Sequence, residues 1–143
     1  MKQYVNRIVQ GKRPGFCLLF FIFYLLFSVA CNTTPEEQAA RAARGYYQCL
    51  IDDRPEEFLQ GKADADSLPD SYRAQLLTAI NQYRAEMLDK HNGLNEVQVS
   101  DNVARRDTSL NLTYAFLLLC YGDSTEEEIT VPMVERDGRW LMK

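Results

Sequence analysis

The chain is poor in the residues that most chemistry needs. It has one histidine, one tryptophan and seven glycines in 143 residues. A lone histidine, with no cysteines paired at ligand spacing, argues against the common zinc sites. No phosphate-cradling glycine loop, nucleophile motif, metal signature or internal repeat is present. No cofactor is called for. The first 30 residues contain no aspartate or glutamate, so all the acid lies further on.

What is there begins with an apolar run, residues 16–30, FCLLFFIFYLLFSVA, preceded by Lys2, Arg7, Lys12 and Arg13. A basic segment, an apolar segment and small residues at the junction are the parts of an export signal. The run is shorter than the roughly 20 residues a helix needs to cross a bilayer. The junction Ser28-Val29-Ala30-Cys31 resembles the lipobox of bacterial lipoproteins, with Ser28 where leucine is usual. That resemblance implies cleavage before Cys31 and attachment of a diacylglycerol, with its two ester-linked chains, to the Cys31 thiol, with an amide-linked third chain (palmitate is typical) to follow. Two or three acyl chains anchor effectively permanently where one binds marginally. Two other readings stay open: an ordinary cysteine after standard cleavage at Ala30, and an uncleaved anchor. Asn32 is not the aspartate that marks inner-membrane retention, which points to the outer membrane of the bacterial cell envelope. The expected organisation is a lipoprotein signal peptide over 1–30, a tether over 31–35 and one domain over 36–143.

Removing 30 of 143 residues leaves 113, enough for one modest core. Four of the 16 Lys and Arg go with the signal, so 12 cations face 20 anions, a formal −8. Such a surface is repelled by nucleic acid, which is therefore not an expected partner. Cys49 and Cys120 remain in an oxidising compartment. They form either a disulfide or two buried thiols that pack as small apolar groups.

Residues 36–52 read as a helix with Ala39, Ala43, Tyr46 and Leu50 on one face. Gly45 is a place for another element to approach closely. Asp53 and Glu56 have capping-box spacing ahead of a short helix ending at Gly61. Asp52, Asp53, Glu56 and Glu57 form a carboxylate group that capping explains better than a cation. Residues 70–90 form the longest helix, with Tyr72, Leu76, Ile80, Tyr83 and Met87 at helical spacing and a stop at His91-Asn92-Gly93. His91 reads as a favourable charge near the last carbonyls. After Gly93 the period becomes two. Val97, Val99, Asp101 and Val103 alternate in one strand. Leu110, Leu112, Tyr114, Phe116, Leu118 and Cys120 alternate in the next, whose other face is polar only at Asn111 and Thr113. Ile129, Val131 and Met133 share a face of the third, and Trp140 and Met142 of the last. Asp137-Gly138 is a strong hairpin signal. Pro132 cannot donate to a ladder, so its strand is an edge there or carries a bulge.

Helices followed by sequential hairpins make an α+β domain, with a curved antiparallel sheet of about four strands expected to wrap the long helix. That order, ending in Val131 to Leu141 with its Asp137-Gly138-Arg139-Trp140 turn, resembles the nuclear transport factor 2-like (ketosteroid isomerase-like, cystatin-like) superfamily. It is similar to small bacterial lipoproteins of that class. The resemblance implies a cone-shaped fold with a cavity between sheet and helices. Tyr47, Tyr83, Asp101, Tyr114, Phe116 and Trp140 are the expected lining. Fold does not give function. The expected function is a membrane-anchored, non-catalytic module that binds a small apolar ligand or an envelope protein. The alternatives are a cavity enzyme of isomerase or dehydratase type with Asp101 as base, and a subunit of an envelope assembly.

Overall fold

Helix α1 (Pro35–Ile51) opens the described part of the chain, residues 33–143 of the computed structural model. The expected signal peptide and Cys31 lie outside those residues. A capping box starts α1: the Thr34 hydroxyl accepts from the Glu37 amide at 3.2 Å, and the Glu37 carboxylate accepts from the Thr34 amide at 3.3 Å. Pro35 sits at the first helical position, where its missing N–H costs nothing. Ala39, Ala40 and Ala43 are fully buried. Their small side chains let the helix backbone lie close on the sheet.

Helix α2 (Pro55–Gln60), a short 3-10 turn (Ala65–Ser67) and helix α3 (Asp70–His91) follow. α3 stops where Asn92 (φ 58°) and Gly93 (φ 88°) turn left-handed, the stop the sequence predicts. Four antiparallel strands complete the domain in the order β1 (Leu94–Asp107), β2 (Leu112–Tyr121), β3 (Glu126–Arg136), β4 (Arg139–Met142). Both Asp137 (φ 51°) and Gly138 (φ 73°) are left-handed, as a two-residue I′ hairpin requires. Pro132 pairs with Tyr114 on one side. On the other it accepts from the Lys143 amide at 2.9 Å, at the very end of β4. Its missing N–H therefore falls where the ladder runs out.

The structure corrects several expectations. The sheet holds α1, not the longest helix: α3 buries only Met87 and leaves Tyr72, Tyr83 and Leu88 exposed. The inward face of β2 is Thr113, Ala115, Leu117, Leu119 and Tyr121. The alternation beginning at Leu110 and Leu112 picks out the outer face from Tyr114 onward. From Ala115 on, both faces of that strand are apolar, so pattern alone does not set which is covered. Gly45 has open space where a Cβ would sit. Gly61 is the close approach instead, since a Cβ there would run into the Tyr46 ring. Asp53 does not cap α2; it turns left-handed (φ 59°) and pairs with Arg84 at 2.6 Å. Cys49 and Cys120 are free thiols. Cys49 belongs to α1 on the inner side, while Cys120 pairs with Glu96 and Glu126 on the outer face, so the sheet stands between them.

Candidate functional site

The inner face of the sheet is apolar in the middle, under α1, and polar at both ends. At the end bearing the β1–β2 turn and the β3–β4 hairpin lies a pocket of about 100 Å³ lined by Arg106, Asn111, Thr113, Glu135 and Trp140. Register explains the grouping. Arg106 pairs with Thr113, Thr113 with Met133, and Glu135 with Trp140, so these side chains share one face in two adjacent rows. Asn111 joins them from the turn, where it is left-handed (φ 51°). Trp140 Nε1 is buried and meets no hydrogen-bond partner. A buried indole N–H without an acceptor is costly and rare, and it marks a place where a ligand can supply one. The Tyr46 hydroxyl donates to the Trp140 carbonyl at 2.8 Å and ties the pocket strand to α1.

Arg106 reaches this face because β1 is irregular. Between Val99 and Ala104 the strand advances five residues while β2 advances two, from Leu117 to Ala115. The three extra residues flip the alternation, and Val103 takes a left-handed φ of 52° within the irregularity. Ala104 and Arg106 thus face inward, and Arg105 faces out over the Tyr114 ring, 5.9 Å from its centroid.

The opposite end carries a tyrosine cluster. Tyr121 donates to Glu127 at 2.8 Å. Burial, then that bond, raises the Tyr121 pKa well above the ordinary phenol value, and a hydrogen bond with Tyr83 adds to it. Burial pushes Tyr47 up to about 12, helped by Tyr83 and Glu127. These phenols are protonated at neutral pH, and the Tyr83–Tyr121 contact links α3 to the sheet. His91 stacks on Tyr121 with ring centroids 4.7 Å apart and pairs with Asp123 at 2.9 Å. The sole histidine therefore fastens the end of α3 to the β2–β3 turn.

The six residues expected to line one cavity are dispersed. Trp140 lines the pocket. Tyr47 lines a separate cavity of about 150 Å³ with Phe58, Lys62 and Pro132. Tyr83 lies on exposed α3 beside Tyr121. Asp101 is solvent-exposed in the irregular stretch of β1, and Tyr114 and Phe116 are on the outer face. Arg106, Asn111, Thr113 and Glu135 were not expected. Glu135 continues the Met133 face by simple alternation and was legible; Arg106 was hidden by the irregularity. A larger groove of about 450 Å³ between α1 and α2 includes Cys49, Arg54 and Glu57. There Arg54 pairs with Glu57 at 2.6 Å and Asp52 at 2.8 Å, and the Cys49 thiol donates to the Gly45 carbonyl. Among the described residues no group of three or more acids, histidines or cysteines is placed to hold a metal ion.

No protein-family model and no curated protein matches the sequence. Among solved structures the chain is similar to one from Campylobacter jejuni described as an NTF2-like transpeptidase. The TM-score is 0.54 at 10% identity, over 70% of this chain and 92% of that one. This likeness supports an NTF2-like α+β fold: helices on a curved antiparallel sheet.

Proposed function

We propose that the chain is a lipid-anchored module of the bacterial cell envelope, held through Cys31 in the outer membrane, that binds a small polar ligand without turning it over. The anchor rests on the basic segment, the apolar run and the Ser28 to Cys31 junction. Among the described residues no helix is long and apolar enough to cross a membrane. The binding role rests on one observation, the buried, unpartnered Trp140 N–H in a pocket of polar side chains. The sequence suggested an apolar ligand; this lining favours a polar one. Its volume is far below the roughly 300–1,000 Å³ of sites for drug-sized ligands. A non-catalytic role is preferred because Asp101 is out in solvent and the pocket's carboxylate, Glu135, is itself exposed rather than held in an apolar wall.

Mass spectrometry of the full chain made in an exporting bacterium tests the anchor. The expected product starts at Cys31 and carries acyl mass, and Cys31→Ser releases it from the membrane fraction. An intact precursor or an unacylated product overturns that part. The indole N–H resonance tests the pocket, since the chain has a single tryptophan.

A second reading, a subunit of an envelope assembly, is favoured by the outer face of the sheet. Tyr114, Phe116, Leu118 and Cys120 run along β2, partly exposed and with no helix over them among the described residues. A monomer by light scattering of the full chain in detergent would count against self-assembly.

A further inference from the structure

The geometry points to a small zwitterion of the α-amino acid class as the ligand of the pocket, an inference that rests on the binding role proposed above. Arg106 and Glu135 stand on β1 and β3, with β2 between them and one row of offset, so their backbones are roughly 12 Å apart. Both line the pocket, yet neither has an ion pair among the described residues. Two opposite, solvent-exposed charges thus line one polar pocket together with the buried Thr113. Trp140 lines the same pocket, and its Nε1–H is buried without an acceptor.

Each simpler ligand leaves something unmatched. A plain carboxylate suits Arg106 and the indole N–H but meets the like charge of Glu135. A plain ammonium suits Glu135 and is repelled by Arg106. A neutral molecule leaves both exposed charges hydrated and draws on neither. A carboxylate and an ammonium on one small frame match all three groups, with the carboxylate toward Arg106 and Trp140 and the ammonium toward Glu135. Charge-assisted hydrogen bonds of this kind are the stronger ones. The volume sets the size. About 100 Å³ is well above the 10–15 Å³ that one water needs, and it holds a molecule of a few heavy atoms.

The test uses the full chain in detergent at pH 7, with the Trp140 indole N–H resonance as reporter and glycine, acetate and methylammonium as probes. Glycine should shift the resonance saturably. Acetate should bind at least about tenfold more weakly, the difference one charge-assisted contact makes. Methylammonium should leave it in place. Glu135→Gln should bring glycine down to acetate, and Arg106→Gln should abolish both. Equal affinity for glycine and acetate in the unaltered chain, or a Glu135→Gln chain that keeps its preference for glycine, overturns the zwitterion while the pocket reading stands. No shift with any probe overturns both.

Discussion

The Tyr46 hydroxyl donates to the carbonyl of Trp140 at 2.8 Å, so a helix residue fixes the strand that carries the pocket indole. Tyr46→Phe keeps the ring and removes the donor. It should lower stability by about 0.5–1.5 kcal/mol, the net worth of one such bond. The midpoint of urea unfolding should fall with an unchanged slope. An unchanged midpoint would mean that the contact contributes nothing.

The capping box predicts a second loss. Thr34→Ala leaves the Glu37 amide without its side-chain acceptor and should cost about 1 kcal/mol. Thr34→Asn should retain most of that stability, because asparagine caps as well as threonine does. Equal loss in both variants would place the effect elsewhere than in the cap.

The two long helices should differ in hydrogen exchange. α1 buries Ala39, Ala40, Ala43, Cys49 and Leu50, while α3 buries Met87 alone. Local opening follows buried apolar contact, so α3 amides should exchange well before those of α1. Tyr121→Phe, which frees Glu127 and the bond with Tyr83, should speed exchange in α3 and leave α1 nearly unchanged. Equal protection of the two helices would contradict this assignment of the core.

That contrast shows where the sequence was legible. The α+β order, the Asn92-Gly93 stop and the Asp137-Gly138 hairpin are local signals, each carried by one or two residues in a special conformation, and they were readable. Which helix fills the sheet was not. α3 has the longer apolar stripe, but α1 has the alanines that allow close contact, and choosing between them is a question of packing distance. Asp101 and Arg106 show the second limit. Reading β1 with a constant period keeps Asp101 inside and turns Arg106 out; three extra residues reverse that. Trp140 stayed legible because the hairpin fixes its register two residues away.

Stability should respond to acid through Asp123. Hydrogen bonds from the Thr125 hydroxyl and amide, then from His91, hold its pKa down to about 2, against an ordinary value of 3.8. A carboxylate with a depressed folded pKa stabilises the fold above its unfolded value, and that contribution is lost as pH falls through the folded one. The loss should therefore run from about pH 4 down through pH 2. Thr125→Val removes the largest cause and should move the Asp123 carboxyl titration, followed by NMR, up toward 3.8 with an earlier acid transition. A midpoint already near 3.8 in the unaltered chain would refute the assignment.

The thiols give the last expectation. With the sheet between them, Cys49 and Cys120 should both be free in the folded chain, and reductant should leave the mass unchanged. A gain of about 2 Da, the two thiol protons that a disulfide lacks, would instead show a bond that this fold does not permit. Under native alkylation Cys120 should react first. Cys49 is 6% exposed and its thiol donates to the Gly45 carbonyl at 3.4 Å, whereas Cys120 is partly open on the outer face. Neither should be fast at pH 7, since burial raises both thiol pKa values, and Glu126 and Glu96 add to the effect at Cys120. The thiolate is the nucleophile, so both rates should climb steeply with pH. Faster labelling of Cys49 would mean that α1 opens from the sheet more readily than its buried alanines allow.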